Sequence, residues 1–303
     1  MSEEFRLEHP VANPPPSSRR SPSYREPDPS DPVVISYSGG ASSYWLIEAV
    51  AHGVLARPEN VAVACADTGD EHEWTYEAMA RVEERCRELG IPFLKASRGM
   101  ALSEHLLSLS EQTREHKRLD HPPLWIDKGG GARGRALHKC TREFKVAPMR
   151  RVVSAWLESI GKPKRVTKWI GYSRDEAHRT GKSIAKQDVQ WERLAFPAVG
   201  LGVMRGQMRA DLAKWGRPPV RFSMCRMCPY KSDERWRETP ESDLQTVHVV
   251  DEAIRDLDEI GLTDGPAYLT DALIPVKSLL RGERKQPVLT GLESYCDGGA
   301  WFL

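Results

Sequence analysis

Three shortages bound this sequence before any motif is read. No uninterrupted apolar run approaches the ~18 residues that a bilayer-crossing helix needs, and the N-terminus has no apolar signal core, so a cytoplasmic protein with no membrane partner is expected. Excess charge is the second shortage. Lys+Arg 44 against Asp+Glu 43 leaves a formal +1, which excludes a globally basic nucleic-acid binder and confines anion affinity to local patches. The third is cysteine. Six in 303 residues, widely scattered, cannot form a disulfide framework, and clustered thiols in a reducing compartment point instead to metal or redox work. Apolar residues are not short: at 40% they suffice for a real core, and the length suits one large domain or two smaller ones.

Residues 1–31 carry NPPPSSRRSPSYREPDPSDP, with almost nothing to bury, and are expected to be a disordered Pro/Ser-rich arm. Strand and helix patterns then alternate. VVISYS (33–38), VAVACAD (61–67) and IPFLKAS (91–97) read as strands, with amphipathic helices between them; the second helix stops at Gly90. Strand starts 28 and 30 residues apart imply right-handed crossovers and an α/β fold with a mainly parallel, twisted sheet flanked by helices. Further helices are expected near 101–118, 143–159, 205–215 and 241–260, with a strand at 166–172. The last forty residues read as irregular.

The turn after the first strand, SYSGGASSYW, supports two readings. Glycines let a backbone turn sharply, and SGG can be a plain strand-to-helix turn. Alternatively, helix-start N–H groups and serine hydroxyls can cradle a phosphate. The stretch is neither G-x-x-x-x-G-K-[ST] nor G-x-G-x-x-G. Ligands of parallel sheets bind beyond the carboxyl ends of the strands, which puts this loop and the later Asp67-Thr68-Gly69 on one rim.

SYSGGASS followed by ADTGDEHEWTYEAM resembles the PP-loop (adenine nucleotide alpha-hydrolase-like) superfamily, and within it the phosphoadenosine phosphosulfate (PAPS) reductase-like family. KCTREFKVAPMRR (139–151), WIGYSRDEAHR (169–179) and SMCRMCPYKSDERW (223–236) extend the resemblance in order over residues 33 to 240. It implies a nucleotide-binding PP-loop domain over 32–200 and a mostly helical or irregular, cysteine-bearing part over 201–303. By resemblance, Ser38, Gly39, Gly40, Ser42 and Ser43 hold phosphate, and Asp67, Thr68 and Gly69 lie beside the adenosine. Arg174 and Asp175 reach the nucleotide or its leaving group. The implied ligands are ATP or a sulfonucleotide (PAPS or its 3′-dephospho form, APS), with magnesium at the phosphates. The implied activity is PAPS reductase-like oxidoreduction or ATP-dependent sulfur transfer to nucleic acid or a small molecule. A cysteine desulfurase or thioredoxin-like protein would be the sulfur or electron donor. One departure stands out: SGGKDS loops carry Lys-Asp where this chain has Ala41-Ser42, removing a cation and a magnesium contact. A substitute anion site is expected on Arg133, Arg135, Lys139, Arg142 and Lys145, with Arg150 and Arg151 beyond; the alternative is a solvated helix face paired with acids.

Cys225 and Cys228 form a CxxC. In cluster-bearing relatives a cysteine at the position of Cys140 joins such a pair around a [4Fe–4S] cluster, leaving Cys296, substrate or solvent as fourth ligand. Zinc on the four cysteines, a redox CxxC, or Cys296 as the nucleophile are the alternatives. Cys65 and Cys86 read as core thiols and His72 as a surface residue. His138 is a minor ligand candidate. Trp156 and Trp169 are expected to pack, as is Trp236, while Asp233 and Glu234 open the helix after the CxxC.

Overall fold

The computed structural model describes residues 28, 30–109, 122–137, 139–185 and 189–284. The expected arm, apart from its last residues, and the candidate ligands His138 and Cys296 lie outside them.

Five strands form one parallel sheet: β1 (Val33–Tyr37), β2 (Val61–Asp67), β3 (Phe93–Ser97), β6 (Val166–Ile170) and β7 (Glu192–Ala195), in the order β3-β2-β1-β6-β7. Successive side chains point to opposite faces. Val34, Ala62, Ala64 and Ala96 therefore enter one core, and Val33, Ile35, Tyr37, Val61, Val63 and Cys65 the other. Burial on both faces explains why these strands are apolar runs rather than alternating ones. The α/β class read from the sequence is the one observed. β7 escaped that reading because it begins with two charged residues, Glu192 and Arg193. Glu192 is buried, held by Lys168 and by Arg150 at 3.2 Å.

The helices are α1 (Ala41–Ala51), α2 (Glu73–Glu88), α3 (Leu102–Leu109), α4 (Ala147–Ser159), α5 (Thr180–Ala185), α6 (Pro197–Gly200), α7 (Arg205–Lys214), α8 (Asp233–Arg237), α9 (Glu241–Ala253) and α10 (Val276–Leu280). A π-turn over Thr141–Val146 runs straight into α4. Pro148 has no N–H to give an i−4 carbonyl, and the wider π register accommodates the gap. α9 stops at Ala253 rather than near 260, because Arg255 folds back and its guanidinium donates to the Asp251 and Ala267 carbonyls. A second, antiparallel sheet was not expected: β4 (Trp125–Asp127) pairs with β5 (Arg133–Arg135) and with β8 (Ala267–Tyr268). Strands of two or three residues are too short to show periodicity. Among the described residues no helix is long and apolar enough to cross a membrane.

The strand order reverses between β1 and β6. β1 leads outward through β2 and β3, and the chain then returns to place β6 on the other side of β1. Loops leaving β1 and β6 diverge from such a point, and ligands of open α/β sheets bind there.

Candidate functional site

The loop after β1 is built by its own serines. The Ser43 hydroxyl accepts from the Ser38 N–H (3.2 Å) and donates to the Gly40 carbonyl (3.0 Å), which tightens the first turn of α1. Gly39 has φ 79°, and a Cβ there would lie 2.8 Å from Ser223 Oγ and 2.9 Å from Thr75 Cγ2. Only glycine fits. Gly171, at the end of β6, touches the same turn from the other side: a Cβ would sit 2.7 Å from Ser43 N. α7 packs alongside α1, where the Trp45 indole donates to Asp211 (2.9 Å). Beneath it Glu48, fully buried, is held by Arg85 (3.1 Å) and Arg217 (3.0 Å).

Above the loop opens a cleft lined by Ser38, Gly40, Ala41, Ser42 and Ser43 on one side. Arg205, Arg209, Arg221 and Arg235 line it on the other, with Phe222 and Ser223 between. Arg205 opens α7; its N–H donates to Asp175 (2.8 Å) and its guanidinium meets Glu176 at 3.0 Å. The Arg221 guanidinium lies 3.9 Å from the Trp74 ring centre, and that of Arg235 4.0 Å from the Phe222 ring centre. Ser223 donates to the Ser38 carbonyl, tying this segment to the glycine loop. None of these four arginines was picked out from the sequence. They are spread over thirty residues, and the one available signal was the repeated arginine of VMRGQMR and PPVRFS before the CxxC.

The structure brings the residues of the expected anion site together only in part. Arg133 donates to the Asp271 carbonyl and pairs with its carboxylate. Arg135 lies against Tyr230 at 5.5 Å, and Arg142 is exposed beside Glu143. Lys139 and Arg135 line a separate cleft together with Lys128 and Leu137. Lys145 is buried, 3.9 Å from Glu71. Charge density along the chain is not charge density in space. Here the pairing with acids holds for Arg133, Lys145 and Arg150.

Asp67, Thr68 and Gly69 stand on the same rim, doing structural work within their own loop. Asp67 accepts from Gly69 N–H (2.8 Å) and the Tyr76 hydroxyl (3.1 Å) and pairs with Lys95 (3.1 Å). Thr68 donates to Glu71 (2.9 Å). Burial raises the Glu71 pKa above the ordinary carboxylate range, with Lys145 opposing. Arg174 is exposed and does not line the cleft, whereas Asp175 meets it indirectly through Arg205. The expectation of a surface His72 is corrected. His72 is fully buried, its Nδ1 is 2.6 Å from Asp243, and it stacks on Trp74 at 4.1 Å. Burial lowers its pKa to about 4, and the nearby Lys231 and Arg221 act in the same direction. Its Nε2 has no partner among the described residues, so a proton there would be a buried, unsatisfied donor.

The CxxC is stitched to the rim. Glu71 and Cys225 form an antiparallel bridge, Arg226 N–H donates to the Asp70 carbonyl (2.8 Å), and the Arg226 side chain grips the Asp70 carboxylate at 2.7 Å. Cys140, Cys225 and Cys228 are buried in one core. Burial raises Cys140 to about 12, and a hydrogen bond with Cys228 together with burial raises Cys225 well above the ordinary thiol. Metals bind thiolates. The described residues contain no group of three His, Cys, Asp or Glu arranged to hold a metal ion, so they do not, as they stand, fit a cluster or zinc. Cys65 and Cys86 are buried in the opposite core, as expected. Trp156 and Trp236 are buried and Trp169 packs on that same core; Ser232, rather than Asp233, caps α8 through Arg235 N–H.

No protein-family model matches the chain, and no curated protein matches it. Among solved structures it is similar to the U34-tRNA thiolase NcsA from Methanococcus maripaludis with its [4Fe–4S] cluster, at 12% identity and a TM-score of 0.36, over 84% of this chain and 71% of that one. A likeness of that size carries no argument about the site.

Proposed function

We propose that this chain is a nucleotide-dependent enzyme of sulfur chemistry, of the PAPS reductase-like kind within the PP-loop superfamily. It takes an adenine nucleotide into the cleft above the β1–α1 loop. The observation that carries the reading is the cleft: a serine–glycine loop opening a helix at the switch point of a parallel sheet, faced by four arginines. Helix-start N–H groups and the Ser42 hydroxyl suit tetrahedral oxyanions, and guanidinium groups stabilise charge that gathers on them during group transfer.

Two reactions suit this arrangement. ATP can adenylate an acceptor oxygen with loss of pyrophosphate, after which sulfur displaces AMP; the acceptor is a nucleic acid or small molecule, and a cysteine desulfurase is the kind of donor required. Alternatively, a thiol attacks the sulfur of a sulfonucleotide and displaces the adenosine phosphate, forming an S-sulfonate. A thiol of a thioredoxin-like protein then attacks the cysteine sulfur, sulfite leaves, and the second thiol of that protein resolves the mixed disulfide and restores the cysteine. The cysteines enter this reading through the Glu71–Cys225 bridge, which sets them directly behind the rim. No step runs through a metal group. Iron and acid-labile sulfide analysis of protein purified without oxygen, with Cys225→Ser as control, tests the [4Fe–4S] reading separately, and zinc is measured alongside.

The test is calorimetric titration with ADP, ATP and adenosine 5′-phosphosulfate, followed by assay for AMP, pyrophosphate and sulfite. Binding with turnover is the expected result, and failure of every adenine nucleotide to bind refutes the reading. Ala41 and Ser42 favour one second reading, a binding module without catalysis, for which binding without any product is the signature.

A further inference from the structure

The loss of the loop's Lys-Asp leaves a question of charge: what neutralises the phosphates? Among the described residues no Asp or Glu lines the cleft, while four arginines do. Divalent magnesium at nucleotide phosphates is held by one or two carboxylates in addition to phosphate oxygens. That arrangement has no counterpart here. Guanidinium groups, in contrast, are always charged and offer a planar fork of donors to tetrahedral oxyanions.

Two of the four are fixed in place by aromatic faces. Arg221 lies on Trp74 and Arg235 on Phe222, and the rings meet edge to face at 5.2 Å. The Trp74 indole donates to the Phe222 carbonyl (2.9 Å), and behind Trp74 the stack continues through His72 to Asp243. A ring occupies the face of a guanidinium and leaves its N–H edge for an anion. Arg205 and Arg209 are one turn apart on α7, so they share a face of that helix. Arg205 and Arg235 also meet Glu176 and Glu238, and neither acid lines the cleft.

We infer that this chain neutralises the phosphate chain of its nucleotide with Arg205, Arg209, Arg221 and Arg235, and binds that chain as a metal-free polyanion. Trp74 and Phe222 act as positioning residues for two of the guanidinium groups. The inference rests on the nucleotide reading above and adds the ionic form of the ligand: a linear run of two or three tetrahedral oxyanion groups without a divalent cation. Nucleoside di- and triphosphates and sulfonucleotides share that chemistry.

The experiment is calorimetric titration of the full chain with ADP and with inorganic pyrophosphate, each in excess EDTA and in excess magnesium. The expected result is an affinity in EDTA equal to or tighter than in magnesium. Arg221→Gln and Arg235→Gln are each expected to weaken ADP binding about tenfold, the loss of one charge-assisted contact. Arg221→Lys should recover part of that loss, a readout that damage to the fold alone would not give. Trp74→Leu should weaken ADP several-fold and lower the difference between ADP and AMP, because it frees Arg221 without removing its charge. Binding of ADP in magnesium alone overturns the inference and leaves the nucleotide reading standing. Wild-type affinity in both glutamine variants does the same. No binding of ADP, ATP or AMP in either medium overturns both.

Discussion

Alanine at position 171 tests the architecture of the site with a single methyl group. Gly171 is not in the left-handed region, so alanine incurs no conformational penalty there. The penalty is steric. The new Cβ would lie 2.7 Å from Ser43 N, 2.8 Å from Ser43 Cα and 2.9 Å from the Ser42 carbonyl carbon. All three are backbone atoms of the first turn of α1, with no side chain to rotate aside, so β6 and the glycine loop must part. Overpacking of this kind costs about 1–3 kcal/mol. For a chain of this size each kcal/mol lowers Tm by roughly 2–4 °C, giving a drop of roughly 2–12 °C. The displaced turn carries Ser42 and Ser43, so ADP affinity should fall with it, by about tenfold if one good phosphate contact is lost. Circular dichroism melting and calorimetric titration measure the two effects. Gly206→Ala is the control: it lies in α7, has no atom within 4 Å of its Cβ position, and should be neutral or stabilising because alanine is the better helix former. If Gly171→Ala melts and binds like the parent protein, close approach of β6 to α1 does not hold the loop.

Acid should act through His72. Its pKa is about 4 in the folded chain against 6.5 for the free side chain, so the unfolded state binds more protons between those values. Its contribution to stability is therefore complete above about pH 6.5 and is lost as pH falls toward 4, on the order of 3 kcal/mol in all. Urea midpoints over that range should show the slope, and His72→Gln should flatten it; an unchanged slope in the variant is the contrary result. Asp70 is fully buried and accepts from Ser103 N–H (2.5 Å) and the Arg226 guanidinium (2.7 Å). Asp70→Ala should cost about 3 kcal/mol by stranding these donors and should raise hydrogen exchange at Cys225 and Arg226; unchanged exchange would mean that the CxxC is held by other contacts. The described cysteines are buried, and burial keeps the Cys140 thiol protonated, with a pKa of about 12. Iodoacetamide at mild alkaline pH should label Cys140 at least about a hundredfold more slowly in the native than in the unfolded protein. Rapid native labelling of Cys140, read by mass spectrometry, would show its pocket to be open.

The sequence by itself determined the first three strands, the helices between them and the parallel sense of the sheet. Runs such as VVISY and VAVACAD are apolar at nearly every residue because both faces of a parallel sheet are covered, and that signal is local. The glycine loop was legible for the same reason, because Gly39 answers to a local backbone angle, φ 79°; the close approach of Ser223 and Thr75 is tertiary. Burial of charge was not legible. His72 behind the rim reads as a surface residue and nothing in the sequence marks Glu192 in β7 as buried, because their partners, Asp243, Lys168 and Arg150, are distant in the chain. The tertiary structure alone decided which cations face the loop. The dense run from Arg133 to Arg151 is divided: Arg133 and Arg135 share the Trp125 ring and Arg135 and Lys139 share a cleft, whereas Lys145 and Arg150 turn to Glu71 and Glu192. Arg205, Arg209, Arg221 and Arg235 converge instead, because α7 packs on α1 and the segment after it is tied across the loop by Ser223 and by the Trp74–Phe222 contact. Spacing along a chain fixes which face of one element a side chain takes; where two elements cross is set by packing between residues far apart in sequence, and there the cation site was made.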